Sequence, residues 1–414
     1  MRLNDLQRAQ LDGAEGPRVA AHLRRLVDWG EAMDARRLVA VDNVHCSTIG
    51  PIVIPAGQEG QPLYTWMVRE IEQALAEPVR VPTATHVARV CMHDDKIEIT
   101  PQMRAFHERV IALARRAGIQ LTWTCAPYLI GVLPGKGQIC AWTESSAVVF
   151  VNSVIGARST RNGAESALAA AVTGWVPEFG VLLDEHRHPD LMIDVDEDAL
   201  TGDPCDWGLL GYWAGEQAGL GSPCFVGPPS PSIEQAKQLS ATLATGGGVS
   251  MFHVAGATPE APGRTRAAAD RRLPRLRYGR AERRSTRDKL DTLTGTAVDY
   301  VLFGCPHATL EEIRAVAAQL DGRRIAPSVR LEIWSSWAIH ANAERLGHAE
   351  VIRNAGGFLM TDSCPAVSRI AKGRRMVTNA VKQAHYLQGM TGHEVAVGRL
   401  DEVIAAALTG RWSR

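Results

Sequence analysis

Short apolar runs alternate with longer segments of helical period along most of this chain. Leu38–Val41, Val79–Val81, Leu121–Thr124, Ala147–Val151, Val298–Phe303, Leu331–Ser336, Phe358–Thr361 and Glu394–Val397 have the length and apolar character of buried strands. Apolar residues recur at helical spacing in Tyr64–Glu77, Pro101–Ala117, Asn162–Val172, Ile233–Leu243, Thr309–Leu320, Trp337–Leu346 and Asp401–Leu408. Residues 1–40 open with one or two charged helices ending near Ala35-Arg36-Arg37, and Gly118 supplies a helix stop. Repeated strand–helix units with polar residues at strand ends predict an α/β protein built on open sheets. The expected division is an N-terminal α/β region (1–120), a central α/β domain (121–290) and a C-terminal α/β domain (291–414).

Composition narrows the function classes. Lys+Arg and Asp+Glu both total 45, which gives no electrostatic reason to expect a nucleic-acid or anionic-membrane partner. No apolar stretch is long enough to span a bilayer, and the charged N-terminus is unlike a signal peptide, so a cytoplasmic protein is expected. Eight cysteines in 414 residues are too sparse for a disulfide scaffold, and none forms a CxxC pair, so a zinc ribbon is not supported. Any metal site must be assembled from distant parts of the chain.

Polar residues gather in a few places. Asp42–Gly50 reads DNVHCSTIG, a polar turn after the Leu38–Val41 run that makes His45 and Ser47 candidates. His93-Asp94-Asp95 and the His186–Asp198 stretch read as solvated turns, and Pro223–Pro231 reads as a boundary or turn-dense connection. Thr245-Gly246-Gly247-Gly248 precedes an apolar run but lacks the Lys-Ser/Thr of a phosphate loop. Pro262–Lys289 holds eleven Arg/Lys and three acids among 28 residues, with Tyr278 its only aromatic, and reads as a solvated linker or lid.

The densest block is Leu121–Arg161, LTWTCAPYLIGVLPGKGQICAWTESSAVVFVNSVIGARSTR. It holds Cys125, a Pro/Gly loop, the cluster Glu144-Ser145-Ser146, Asn152-Ser153 and Arg158, which is expected near the N-terminus of the following helix. Cys125, Cys305 and Cys364 share one local pattern: an apolar strand, the cysteine, then proline directly or one residue on.

The order TCxPYL, Pro/Gly loop, WxESSAVxxxNSVxGAR resembles the aconitase X family of the aconitase superfamily, and GCPH, DxC and FHxxGxTPEA continue the match through most of Val41–Trp412. The resemblance implies an aconitase-like, multi-domain arrangement of α/β/α sheets around a central cluster site, without the small swivelling domain. It implies an iron–sulfur cluster held by Cys125, Cys305 and Cys364, the soft ligands such a cluster takes. His45, Ser47, Glu144, Ser145, Ser146, Asn152, Ser153, Arg158 and Lys382 are the expected substrate-side residues. GARSTRNG departs from the family's GARTNRE, which leaves Arg158 as the match and the equivalence of Arg161 and Asn162 open.

The implied reaction is elimination of water from a small hydroxy acid by a hydro-lyase. The two family activities are dehydration of cis-3-hydroxy-L-proline to 1-pyrroline-2-carboxylate and dehydration of mevalonate 5-phosphate. The VDNVHC form and the Ala/Arg-rich composition favour the first. The implied partner is a small swivelling-domain subunit, which supplies the catalytic base in relatives, so no base is assigned to this chain. Alternatives are another hydroxy-acid dehydratase or isomerase, or a non-catalytic cluster- or RNA-binding regulator resting on the basic segment.

Overall fold

The computed structural model describes residues 1–47, 69–88, 101–261, 272–367 and 373–413, with the side chains of 102 and 103 outside that description. His93-Asp94-Asp95 lies outside the described residues, as do residues 64–68 of the Tyr64–Glu77 segment. Three parallel sheets carry the fold. The first orders its strands Thr83–Thr85, Asn43–Cys46, Ile139–Trp142 and Arg158–Arg161. The second orders Arg275–Tyr278, Leu191–Val195, Pro223–Val226 and His253–Val254. The third has five strands: Phe358–Met360, Arg330–Trp334, Tyr300–Phe303, Arg375–Thr378 and Glu394–Val397. Leu38–Ala40 pairs antiparallel with Trp175–Pro177 beside them. Parallel strands need helical crossovers, which is why the strand–helix alternation was legible as an α/β pattern.

Several local expectations are corrected. Leu121–Thr124 is not a ladder strand: Gln120 alone bridges to Ala84, and Trp123 sits at φ 42°, outside the extended region. Ala147–Val151 is not a strand either. Ser145–Phe150 is helical, and Ala147 to Phe150 are all buried, so an apolar run covered on every side carries no period to distinguish the two. Val79–Val81 is irregular, and the neighbouring strand is Thr83–Thr85. The polar Asn43–Cys46 is itself an interior strand of the first sheet rather than a turn.

The second sheet absorbs three segments expected as loops. Leu191–Val195 and Pro223–Val226 are strands, the latter starting on proline where a missing donor is tolerated. In the basic segment, Arg275–Tyr278 is an edge strand and Arg280–Leu290 a helix, not a linker. Arg275 pairs with Asp194 and Arg277 with Asp196 across adjacent strands. Residues 262–271 of that segment lie outside the described residues.

The glycine run has a packing role. The helices Pro204–Ala218 and Ile233–Gly246 lie so close that a Cβ on Gly246 would sit 2.2 Å from the Tyr212 carbonyl oxygen, and one on Gly247 2.2 Å from that of Gly215. Backbone cannot yield as a side chain can, so Gly246→Ala is expected to cost about 2 kcal/mol or more. A urea midpoint equal to that of the unaltered protein would exclude this.

No helix among the described residues is long and apolar enough to cross a membrane.

Candidate active site

Parallel strands present their C-terminal ends together, and the loops leaving the first and third sheets meet there. From the first sheet come His45, His86 and Glu144; from the third come Cys305, the Thr361–Cys364 turn and Lys382. Lys382 Nζ donates to Glu144 Oε1 at 2.6 Å, and the Ala88 amide donates to the Asp362 carbonyl at 2.6 Å, which ties the two sides together.

The three cysteines share one neighbourhood. Burial pushes Cys125, Cys305 and Cys364 each up to about 12, and in every case the charge of another of the three adds to the rise. They therefore stand as protonated thiols until a soft metal displaces the protons. Lys382 opposes the rise at Cys125 and Cys305, and Lys237 opposes it at Cys305. Among the described residues, no three His, Cys, Asp or Glu side chains gather closely enough for a single ion. Thiols that share a multi-iron group grip different irons, so they need not converge on one point.

The surroundings suit such a group. The Tyr128 hydroxyl is buried with no hydrogen-bond partner among the described residues, and after burial Cys125 has the largest electrostatic influence on it. The Ser363 hydroxyl, next to Cys364, is likewise buried and unpartnered. Two O–H groups idle among the described residues, one in the field of Cys125 and one on the residue before Cys364, fit a ligand rich in weak sulfur acceptors.

Glycine lets the Cys305 loop take its path. Gly304 has φ 88°, and a Cβ there would lie 2.0 Å from the Trp334 carbonyl oxygen. The next peptide, Cys305–Pro306, is cis.

Glu144 is the hub of the polar side. Its Oε1 accepts from Lys382, from Ser146 Oγ at 2.8 Å and from the Ser146 amide at 3.3 Å, while Oε2 meets His86 Nε2 at 2.9 Å. Burial pushes its pKa up, but Lys382 and His86 together pull the carboxyl well below the usual range. Lys382 is correspondingly held as a cation: burial lowers its pKa, and Glu144 and then Cys305 more than reverse that. Ser145 Oγ lies 3.5 Å from both Lys382 Nζ and Glu144 Oε1.

His45 is fully buried, and its Nε2–H donates to the Thr124 carbonyl at 2.9 Å. Burial, then His86, lowers its pKa from 6.5 to about 3, so the ring is neutral. His22, buried in the Pro17–Ala32 helix, falls from 6.5 to about 4, mainly by burial. The unfolded chain binds these protons first, so stability is expected to fall as pH drops from 6.5 toward 4. The slope is up to about 1.4 kcal/mol per pH unit per ring. His22→Phe should flatten that slope in a pH series of urea melts, and an unchanged slope would refute the assignment.

Arg161 completes the set. Its Nη2 donates to the Val249 carbonyl, while its Nε is buried with no partner among the described residues. Burial lowers its pKa, and Tyr386 and Glu144 act in the opposite direction, which places it in the field of the Glu144 hub.

The structure thus brings together His45, Glu144, Ser145, Ser146, Lys382 and the three cysteines, with Ser47 one residue past the end of the His45 strand. It does not bring Asn152, Ser153 and Arg158 to this cluster. Asn152 bonds the amide and carbonyl of Ser159 and the Ser250 carbonyl, and Ser153 Oγ accepts from the Phe252 amide at 2.8 Å. Arg158 opens a strand, not a helix approach, and donates to the Leu182 carbonyl and Asp184. It pairs in register with Ile139 at the start of the neighbouring strand, whereas Arg161 pairs with Trp142 at its end, the active side. His86 and His307 went unassigned in the sequence; both follow strands, as Cys305 and Cys364 do.

Comparison with known proteins agrees with the fold. Family models described as the aconitase X first, second and third domains match residues 1–185, 189–288 and 298–409. The phosphomevalonate dehydratase large subunit of Methanothermobacter thermautotrophicus is 33% identical, over 94% of both chains. The cis-3-hydroxy-L-proline dehydratase of Pseudomonas aeruginosa is 34% identical, over 99% of this chain and 70% of that one. The crystal structure of Thermococcus kodakaraensis aconitase X in its holo-form superposes with a TM-score of 0.83 at 30% identity, covering 98% of this chain and all of that one. This chain belongs to the aconitase X family.

Proposed function

We propose that this chain is the cluster-bearing large subunit of a hydro-lyase that removes water from a small hydroxy acid, with cis-3-hydroxy-L-proline as substrate. The observation that carries the reading is the joining of the three-thiol neighbourhood to the Glu144–Lys382 hub across two sheets. Cys125, Cys305 and Cys364 would hold an iron–sulfur cluster, which when bound supplies a Lewis acid able to make a hydroxyl a leaving group.

This chain's own residues do the orienting. Lys382 is already neutralised by Glu144, so Arg161, whose Nε is idle among the described residues, is the cation left beside the hub, and it suits one carboxylate better than a phosphate dianion. Neutral His45, tied to the Thr124 carbonyl, fixes the wall between substrate side and Cys125. A small swivelling subunit is the expected partner, since relatives are named as large subunits, and no base is assigned to this chain. A mevalonate 5-phosphate dehydratase is the second reading, favoured by relatives of that name that align end to end with this chain. The RNA-binding alternative loses support because Arg275 and Arg277 are paired with acids.

The test is anaerobic co-expression with a candidate small subunit, iron and sulfide counting, and turnover on both substrates side by side. Iron with sulfide, lost in Cys125→Ser, Cys305→Ser and Cys364→Ser, together with water elimination from the hydroxyproline, is the expected result. Zinc or no metal in the anaerobic protein would overturn it. In the same assay Arg161→Met is expected to lower kcat/KM by roughly 10- to 100-fold, the value of a charge-assisted bond to substrate. An unchanged kcat/KM would remove Arg161 from the site.

A further inference from the structure

Three thiols that must act together come from loops far apart in sequence, so something has to set their spacing. His307 touches all three loops. Its backbone N–H donates to Cys125 Sγ at 3.3 Å. Its ring Nε2–H donates to the carbonyl of Ser363, the residue before Cys364, at 2.8 Å. Its Nδ1 accepts from the hydroxyl of Thr124, the residue before Cys125, at 3.0 Å. That hydroxyl in turn accepts from the Ala126 amide at 3.1 Å, so the bonding closes around Cys125 from both sides. Cys305 lies two residues before His307 in the same turn.

The ring is not free to adjust. His307 is 1% exposed. A carbonyl only accepts, so the proton must be on Nε2 and the lone pair on Nδ1 toward Thr124. The turn that carries it is gripped from the Ile233–Gly246 helix of the second sheet's layer. Lys237, fully buried, donates to the carbonyls of Pro306 at 3.2 Å and His307 at 2.9 Å and pairs with Glu312. Gln238 reaches the Cys305 carbonyl at 3.4 Å.

We propose that His307 is a positioning residue that holds the Cys125 and Cys364 loops at fixed distances from Cys305 in the metal-free chain, so that the cluster enters a preformed site. Its consequence for the cluster rests on the reading given above; the clamp itself does not. A rigid ring that donates on one side and accepts on the other is required, because Gln reaches the Nε2 position only and Asn the Nδ1 position only.

The experiment compares the unaltered chain with His307→Gln, His307→Asn, Thr124→Val and, as a control for general destabilisation, His22→Ala. Amide hydrogen exchange in peptides 121–128 and 361–367 is measured on the metal-free proteins, and iron and sulfide on the anaerobically purified ones. Each His307 variant is expected to exchange about tenfold faster in at least one cysteine loop, and to hold less iron. Thr124→Val should loosen the Cys125 loop alone, and His22→Ala neither. Protection and iron content equal to the unaltered chain in both His307 variants would overturn the proposal. If neither folds, unchanged exchange in the 121–128 peptide of Thr124→Val does so. Absence of iron from the unaltered protein would instead defeat the cluster reading, while the exchange data still decide the clamp.

Discussion

Lys382→Met is expected to destabilise this protein by about 3–5 kcal/mol and to abolish turnover, because it strands a buried carboxylate. Glu144 and Lys382 are 14% and 12% exposed, and Lys382 is the leading influence that keeps Glu144 ionised against burial. Without the ammonium, Glu144 must either remain charged beside His86 alone or take up a proton. The loss should therefore shrink as pH falls, since protonation removes the stranded charge. Adding Glu144→Gln to make the double variant is expected to restore most of the stability, since the replaced pair leaves no charge behind, but none of the activity. Urea midpoints and turnover measured on the single and double variants check both halves. A stable single variant, or an active double one, would contradict this account of the hub.

Arg187→Met is expected to cost at least about 4 kcal/mol, a large part of the 5–15 kcal/mol by which domains are usually stable. Arg187 is fully buried. It donates to the carbonyls of Val181 at 2.9 Å, Asn152 at 3.0 Å and Ala157 at 3.2 Å, and forks onto Glu260. Methionine fills the space but leaves Glu260 without its cation and three carbonyls without this donor. Glu260→Gln keeps a neutral acceptor and should cost less, about 1–3 kcal/mol. The expected readout is low soluble yield for Arg187→Met and a moderately lowered midpoint for Glu260→Gln. An Arg187→Met midpoint equal to that of the unaltered chain would show that these bonds add nothing net. The same contact explains the TPEA segment: Glu260 is a structural anchor, as is His253, whose Nε2–H donates to the Arg187 carbonyl at 2.9 Å.

Two kinds of feature were legible without coordinates. One pattern is written locally: an apolar run, a cysteine and a nearby proline mark Cys125, Cys305 and Cys364, although the run before Cys125 is not a ladder strand, whereas Glu144 and Lys382 were marked by the family resemblance. The α/β class was legible too, since parallel strands require a helix-length crossover between them.

What tertiary structure alone decided is which end of a strand a residue occupies and who meets whom across sheets. Arg158 and Arg161 are three positions apart in one polar run, yet only the register against Ile139–Trp142 shows that the second stands at the active end. Asp194 and Asp196 and the arginines of Arg275–Tyr278 read as solvated runs because their partners are some eighty residues away, on or just past a neighbouring strand. Ala147–Val151 gave no period because burial on all sides removes the polar face from which period is read. His307 carried no signal beyond its motif, since its meaning lies in three bonds to distant loops. Local pattern determined the chemistry this chain carries and the class of its fold; long-range packing determined which of those groups face one another, because hydrogen bonds and ion pairs depend on distances that sequence spacing does not encode.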